Sequence, residues 1–146
     1  MAELTTDDQI REALRTARVV AVLGAHTEPS RAAFYVPDYL HAQGYRVMPV
    51  NPALAGRTIW GEPVRESLAA VPGPVDLVDV FRRPDLLPGH LADILAMTPH
   101  PRLVWLQQGI RNDDFARALS AQGIDVVQDR CALVDHRRLG VGAVAR

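Results

Sequence analysis

The sequence contains no lysine and only one cysteine. All 16 of its basic residues are therefore arginines, which excludes Schiff-base chemistry and the lysine-containing phosphate loop of nucleotide hydrolases. The single cysteine, Cys131, excludes an internal disulfide and a zinc site built from cysteines alone. The five histidines lack metal-ligand spacing to one another or to Cys131, so no metal site is predicted. Because paired carboxylates and a serine elbow are also missing, no catalytic residue is assigned.

The sequence also lacks a strong charge imbalance and a long hydrophobic run. The formal net charge of its 146 residues is −1, which gives no general electrostatic reason to expect nucleic acid or an anionic membrane as a partner. No apolar run is long enough to span a bilayer, and the polar, acidic start, MAELTTDDQI, does not resemble a signal peptide. We therefore expect a cytoplasmic protein folded as a single domain over residues 1–146.

Short apolar runs alternate with helical patterns along the chain. The predicted strands are Val19–Leu23, Tyr45–Val50, Val75–Phe81, Leu103–Leu106 and Ile124–Val127. The predicted helices are an N-terminal one within residues 1–17, followed by Arg31–Gln43, Val64–Ala70, Asp85–Met97 and Asp113–Gln122. Because strands that alternate with helices form parallel sheets, the predicted fold is α/β. It is a Rossmann-like, doubly wound, five-stranded parallel sheet in a three-layer α/β/α arrangement.

The remaining segments are predicted to lack regular structure. Ala53–Pro63 is interpreted as a loop with a short extended piece at Thr58–Trp60, Asp129–Arg138 as irregular, and residues 140–146 as a loose tail. In parallel α/β sheets, ligands bind beyond the carboxyl ends of the strands. The turns that follow the predicted strands are therefore the candidate site.

The turn after the first predicted strand is the most informative one. Val19–Leu23 ends at Gly24, and a helical pattern begins near Arg31 after a turn-rich segment. A helix start offers unpaired N–H groups and the positive end of a dipole, and both favour a phosphate. Gly24 permits a positive φ, Ser30 can cap the helix or bind a phosphate oxygen, and Arg31 can pair with a phosphate. A tight turn needed for structure alone, with a solvated Arg31, is the alternative.

The second predicted strand ends at Asn51-Pro52. A dehydrogenase that binds NAD places Asp or Glu at this position to bind the ribose 2′-OH. The neutral Asn51 does not repel a phosphate on the ribose, so the pattern disfavours NAD and favours a ribose-phosphorylated adenosine, as in NADP or coenzyme A. An ordinary asparagine–proline turn is an equally good interpretation of this pair.

The turns after the third and fourth predicted strands add further candidates. Phe81 can pack on an adenine, and of the adjacent Arg82 and Arg83 at most one is expected to face the cleft. An exposed arginine pair beside a core phenylalanine is the alternative. After the fourth strand, Gln108 can bind ligand amides, and Gly109 permits close approach of a ligand to the backbone.

These segments together resemble a known family. Between Arg18 and Leu139 the chain carries, in order, VVAVLGAHTEPSR, GYRVMPVNP, PVDLVDVFRRP, VWLQQGI, DRC and HRRL. The combination resembles the small stand-alone coenzyme A-binding proteins, which are related to the coenzyme A-binding domain of succinyl-CoA synthetase α subunits and of NDP-forming acyl-CoA synthetases. The chain lacks the synthetases' second domain, with its phosphorylated histidine, and their ATP-grasp domain. The resemblance therefore implies binding rather than ligase activity.

The resemblance also implies a Rossmann-like fold and a place for each part of coenzyme A. It places the pyrophosphate along Gly24–Arg31 and the adenosine end between the Asn51-Pro52 turn and the turn at residues 81–83. It places the pantetheine near residues 108 and 109. The residues implied to contact coenzyme A are Gly24, Ala25, His26, Thr27, Ser30, Arg31, Asn51, Pro52, Phe81, Arg82, Arg83, Gln108 and Gly109.

Three functions are compatible with these patterns. The first is binding of coenzyme A or acyl-CoA without catalytic activity, by a carrier or sensor that pairs with a larger enzyme or with itself. The second is a redox enzyme or sensor that binds NAD(H) or NADP(H), and the third is a structural or regulatory subunit with a vestigial cleft. We expect the first, with coenzyme A as the ligand, because the lone-glycine turn, the neutral Asn51 and the local arginines occur without a catalytic set.

Overall fold

The computed structural model describes residues 3–145. The strands are β1 (Val19–Leu23), β2 (Arg46–Val50), β3 (Thr58–Ile59), β4 (Glu62–Pro63), β5 (Leu77–Val80), β6 (Leu103–Leu106) and β7 (Asp125–Val127). The α-helices are α1 (Asp7–Thr16), α2 (Ala32–Ala42), α3 (Leu91–Leu95), α4 (Asp113–Ser120) and α5 (Ala132–Arg138). Three short 3₁₀ helices lie at Pro52–Leu54, Leu68–Ala70 and Pro84–His90.

Five of the strands form one parallel sheet in the order β2-β1-β5-β6-β7. Val22 of β1 lies beside Asp79 of β5, which in turn lies beside Trp105 of β6. The chain runs from β1 to β2, crosses back to β5, and then continues to the other edge of the sheet. The predicted five-stranded parallel α/β fold is therefore confirmed. The strand order reverses between β1 and β5, which is where sheets of this kind bind their ligands.

Helices cover both faces of this sheet because its strands are continuously apolar rather than alternating. On one face, the strands pack against α3 and α4 through buried residues such as Ile94 and Phe115. On the other face they pack against α1, α2 and α5 through Leu14, Leu40 and Ala132. The sheet is thus the middle of three layers, as predicted.

The predicted helix Val64–Ala70 is wrong for most of its length. Arg65 lies extended beside the end of β2, where its N–H donates to the carbonyl oxygen of Pro49 at 3.0 Å. The carbonyl oxygen of Arg65 accepts the N–H of Asn51 at 2.9 Å. Only Leu68–Ala70 forms a 3₁₀ turn. Pairing with an edge strand therefore overrides a helical pattern that is local to the segment.

Two other segments also differ from the prediction. Asp85–Met97, predicted as one helix, begins as the 3₁₀ helix Pro84–His90 and becomes α-helical only over α3. Pro88 contributes to this, since it has no N–H for an α-helical bond. The prediction that Asp129–Arg138 is irregular is wrong, because most of this segment forms α5. Helix α5 packs against α1 and α2, a tertiary contact that its short sequence does not reveal.

The predicted loop Ala53–Pro63 contains a small antiparallel hairpin, β3–β4, which includes most of the extended piece predicted there. At the start of the chain, Thr6 caps α1 in the predicted capping box. Residues 140–145 have no regular structure, but the N–H of Val144 donates to the carbonyl oxygen of Gln43 at 2.8 Å.

Residues 1, 2 and 146, which belong to the predicted N-terminal and tail segments, lie outside the described residues. None of the helices in the described part of the chain is long and apolar enough to cross a membrane.

Candidate functional site

The turns that follow β1 and β5 touch each other where the strand order reverses. Gly24 follows β1 with a φ of +88°, a conformation that favours glycine. A Cβ atom at Gly24 would lie 2.6 Å from the carbonyl oxygen of Phe81 and 3.2 Å from Cδ of Arg82. The packing of these two turns therefore requires a glycine, and it places the half-buried Arg82 directly over the end of β1.

Gly24 and Ala25 do not offer free N–H groups to a ligand. Both N–H groups donate to the carbonyl oxygen of Val50 at the end of β2, at 2.9 and 3.2 Å. The free donors lie at the start of α2. Within residues 3–145, the N–H groups of Ala32 and Ala33 have no acceptor, and no side chain caps the helix. The anion-binding potential of the first loop therefore resides at the helix start rather than at the glycine.

The loop between Gly24 and α2 is held by its own polar groups. His26 Nδ1 accepts the N–H of Glu28 at 3.0 Å, and Ser30 Oγ donates to the Glu28 carboxylate at 3.2 Å. Ser30 therefore does not cap the helix, although capping was one of the two roles predicted for it. The N-cap position is held by Arg31, whose side chain is exposed. The half-buried Thr27 has an N–H without an acceptor in the described part of the chain.

Asn51 fastens the end of β2 to the first loop. Its Nδ2 donates to the carbonyl oxygen of Ala25 at 2.8 Å, and its Oδ1 accepts the N–H of Ala53 at 2.9 Å. Both ends of the amide are thus used within the protein, as in the asparagine–proline turn that was the alternative interpretation. Pro52, which is exposed, begins the short 3₁₀ helix that follows. The side chain of Asn51 adds no charge that would repel a phosphate.

A cleft of about 90 Å³ lies beside this switch point. Its lining includes Gly24, Asn51, Pro52, Ser67, Arg82 and His90. Arg82 Nε donates to Nε2 of His90 at 3.3 Å. Arg83, by contrast, is exposed and lies 3.4 Å from the carboxylate of Asp85. Of the two adjacent arginines, Arg82 lines the cleft and Arg83 faces solvent.

The charge of Arg82 is not neutralised by a carboxylate in the described chain, and neither is that of Arg31. The arginines that do pair with carboxylates are Arg11, Arg15, Arg46, Arg83, Arg102, Arg111, Arg117, Arg130 and Arg138. Two carboxylates also line the cleft. Asp93 accepts N–H groups of the turn Leu68–Ala70 with both oxygens, and Glu66 is exposed. A free guanidinium group at the uncapped helix start (Arg31) and another in the cleft (Arg82) both favour an anion.

Gln108 and Gly109 lie further along the same edge of the sheet, in the turn after β6. Both are exposed, and the N–H of Gly109 donates to the carboxylate of Asp129 at 2.7 Å. A Cβ atom at Gly109 would meet nothing within 4 Å, so the surrounding space is open. Gln108 also lines a separate cavity of about 300 Å³ together with Arg130 and Cys131. The half-buried Cys131 occupies the N-cap position of α5.

A buried carboxyl group lies below the edge of the sheet. Asp79 of β5 is fully buried, and its Oδ1 accepts a hydrogen bond from Gln107 Nε2 at 2.5 Å. Its Oδ2 has no partner in the described residues. Burial raises the pKa of Asp79 to about 7, and the Gln107 hydrogen bond opposes that rise. Sequence reasoning did not single out Asp79, although a charged residue within the apolar run VDLVDVF was an available signal.

His90 and Asp93 are cleft residues that the sequence does not mark. They follow β5 through a 3₁₀ helix whose path back to the sheet edge is not encoded in any short motif. Burial and the positive charge of Arg82 lower the pKa of His90, while Asp93 raises it. The side chain of Phe81, which was predicted to pack on an adenine, is half-buried against the apolar layer that includes α2 and α5.

The profile of one protein family, described as "CoA binding domain", matches residues 18–137. The chain belongs to this CoA binding domain family. The predicted resemblance is therefore confirmed, and the match extends from just before β1 to the last turn of α5. A relative from Bacillus subtilis (strain 168), the uncharacterized protein YneT, is 34% identical over 128 residues. The alignment covers 88% of this chain and 92% of the relative.

Solved structures share the fold of this CoA binding domain over most of their length. The protein "cell-free ID.343" from Thermus thermophilus is 51% identical, with a TM-score of 0.88 over 92% of this chain and 99% of that chain. A hypothetical protein from Pyrococcus horikoshii OT3 is 30% identical, with a TM-score of 0.84 over 92% of each chain. A protein called Prb, described as PH1109 protein redesigned for binding, is 29% identical, with a TM-score of 0.86 over 95% of each.

Proposed function

We propose that this chain binds coenzyme A, free or acylated, along the carboxyl edge of its sheet. The observation that carries the proposal is the contact between the Gly24 turn and the turn containing Arg82. This contact lies at the switch point, and it brings an arginine without a carboxylate partner into a cleft at the carboxyl ends of the strands, where the loop that leads to the uncapped start of α2 also begins. Membership of the CoA binding domain family supports coenzyme A as the ligand.

Two different sets of donors suit the two phosphorylated parts of coenzyme A. We assign the pyrophosphate to the N–H groups of Ala32 and Ala33 and to Arg31, because a helix start combines free donors with the positive end of the dipole. We assign the phosphate on the ribose to Arg82, because its guanidinium shares the cleft with the uncharged Asn51.

The thiol or acyl end is assigned to the cavity that Gln108 and Cys131 line. Its volume of about 300 Å³ is at the lower end of the range for small-molecule sites, which suits a short acyl group. We assign no catalytic residue, so the proposed activity is binding, with the ligand supplied to or taken from a partner enzyme.

Isothermal titration calorimetry with coenzyme A, dephospho-coenzyme A, NADP and NAD tests this function. We expect coenzyme A to bind at least about tenfold more tightly than dephospho-coenzyme A, because one charge-assisted contact contributes about 1.5–3 kcal/mol. NAD is expected to give no heat of binding. If neither coenzyme A nor dephospho-coenzyme A gives a heat of binding, the proposal is refuted. If NADP binds more tightly than coenzyme A, the redox alternative is favoured.

The adjacent arginines provide a matched pair of variants. Arg82→Gln is expected to remove the preference for coenzyme A over dephospho-coenzyme A, because it deletes the assigned ribose-phosphate contact. Arg83→Gln removes the same charge one position away, from an exposed side chain that pairs with Asp85, and should leave the preference unchanged. Equal effects of the two substitutions would show that only long-range electrostatics is involved.

A further inference from the structure

Arg82 is held at two points in the cleft. Its side-chain stem passes over Gly24, where Cδ lies 3.2 Å from the position that a Cβ atom would take. Its Nε donates to Nε2 of His90, the last residue of the 3₁₀ helix Pro84–His90, at 3.3 Å. The Nη groups of Arg82 have no acceptor within residues 3–145. The guanidinium is therefore fixed relative to β1 while most of its donors stay available.

The hydrogen bond to Arg82 assigns the protonation state of His90. Arginine keeps its protons at every accessible pH, so Nε–H is the donor and His90 Nε2 has to provide a lone pair. His90 is therefore the neutral imidazole with its proton on Nδ1, as assigned from the hydrogen-bond network. Protonation at Nε2 removes the acceptor and places a second positive charge 3.3 Å from the guanidinium nitrogen. Neutral and protonated His90 thus require different positions of Arg82.

We propose that His90 is a positioning residue that makes ligand affinity depend on pH. The inference rests on the proposed function, in which Arg82 binds the ribose phosphate. Neutral His90 holds the guanidinium over the end of β1, and affinity for the phosphorylated ligand is high. Protonated His90 releases Arg82 and repels it, so that the affinity falls as the solution becomes acidic.

Several charged groups face His90 from the elements around it. Asp93, three residues further on, and Glu66, on the segment before the turn Leu68–Ala70, line the same cleft as Arg82. Burial and Arg82 lower the pKa of His90, and Asp93 raises it. Burial and Arg82 together affect the pKa of His90 more than Asp93 does, so His90 is mainly neutral at pH 7 and above.

Calorimetric titration of coenzyme A at several pH values, into the wild type, His90→Gln and His90→Leu, tests this role. Glutamine offers an acceptor to Arg82 Nε but does not titrate, and leucine offers no acceptor. At about pH 8, we expect His90→Gln to bind within about threefold of the wild type and His90→Leu to bind about tenfold more weakly. On acidification to about pH 5, the wild type should lose severalfold more affinity than His90→Gln, because only the wild type gains a proton at this position.

The comparison of the wild type with His90→Gln cancels the contributions of every other ionisable group and of the ligand's own phosphate, because these are the same in both titrations. Parallel pH profiles would overturn the inference. So would a wild-type affinity that rises in acid relative to His90→Gln, because protonated His90 would then bind the phosphate itself.

Thermal unfolding of the free proteins shows whether His90→Leu is folded. If it is not, the comparison of the pH profiles of affinity of the wild type and His90→Gln tests the inference. If the wild type binds no coenzyme A at about pH 8, the proposed function fails and this inference fails with it. Tight binding with an unaltered pH profile refutes the inference alone.

Discussion

Asp79 links a single buried residue to the pH dependence of stability. Because burial raises its pKa to about 7, the folded protein keeps this proton up to neutral pH. The unfolded chain loses it above about pH 4. Between these two values the unfolded state therefore binds fewer protons than the folded state. The contribution of Asp79 to the free energy of unfolding falls as the pH rises through this window, and above it the whole cost is present.

We expect Asp79→Asn to stabilise the protein more at about pH 8 than at about pH 5. The amide keeps an acceptor for Gln107 Nε2 and cannot ionise, so it removes the cost of a buried charge. The gain in the free energy of unfolding should be about 2 kcal/mol larger at the higher pH. Urea unfolding at both pH values measures it, and an equal change at both would show that the carboxyl of Asp79 does not titrate in this window.

Gly24 offers a second test at the residue scale. Gly24→Ala places a Cβ atom 2.6 Å from the carbonyl oxygen of Phe81, at a φ of +88°. Gly56 has a similar φ of +90°, but a Cβ atom there would meet nothing within 4 Å, which makes Gly56→Ala the matched control. We expect a loss of about 1 kcal/mol for Gly56→Ala and about 2–4 kcal/mol for Gly24→Ala in urea unfolding. Equal losses would mean that the two turns separate easily.

Residue types in the turns predicted the location of the candidate site, but not the contacts that each side chain makes within the protein. The strand–glycine–helix pattern located the first loop, because a positive φ and a helix start are local properties. For Asn51, the sequence could not distinguish an uncharged neighbour of a ligand phosphate from an ordinary asparagine–proline turn. The reason is that the partners of its amide, Ala25 and Ala53, depend on the fold. The choice between Arg82 and Arg83 depends on the strand order, and His90 enters the cleft through a tertiary contact.

At the scale of elements, the start of α2 carries the proposed pyrophosphate contact. Ala32 is the first residue of the helix, where proline is well tolerated because its missing N–H has no helical partner. The preceding Arg31 has an extended backbone, with φ −91° and ψ 139°, as proline requires of the residue before it. This position therefore permits a ligand donor to be removed without breaking the helix.

We expect Ala32→Pro to change the free energy of unfolding by no more than about 0.5 kcal/mol and to weaken coenzyme A binding about tenfold. Ala32→Ser keeps the N–H and serves as the control, with affinity close to that of the wild type. Calorimetry and urea unfolding of the same samples give both readouts. Unchanged affinity of the folded Ala32→Pro protein would remove this N–H from the site.

Elements with strong local signals were predicted with nearly correct bounds. The strand β1 and the helix α2 are examples, since an unbroken apolar run and a glycine after the helix mark them. The segments that were wrong, Val64–Ala70 and Asp129–Arg138, owe their structure to distant partners. The first pairs in part with β2, and the second packs as α5 against α1 and α2.

At the scale of the whole molecule, the strand order places the candidate groups along one edge. The turns after β1, β2 and β5 meet around a cleft of about 90 Å³, and the turn after β6 leads to a cavity of about 300 Å³. A different cavity, of about 250 Å³, lies at the amino ends of the strands and includes Thr16, Asp76 and Arg102 in its lining. The carboxyl ends and the amino ends of the strands are therefore competing locations for a ligand.

The two locations are distinguished most directly by NMR of ¹⁵N-labelled protein. The backbone amide chemical shifts are recorded as coenzyme A is added. We predict that the largest changes occur at the amides of Thr27, Ala32 and Ala33 and in the turns that contain Arg82 and Gly109. Changes concentrated at the amino ends of the strands, around Thr16, Asp76 and Arg102, would contradict the proposed site.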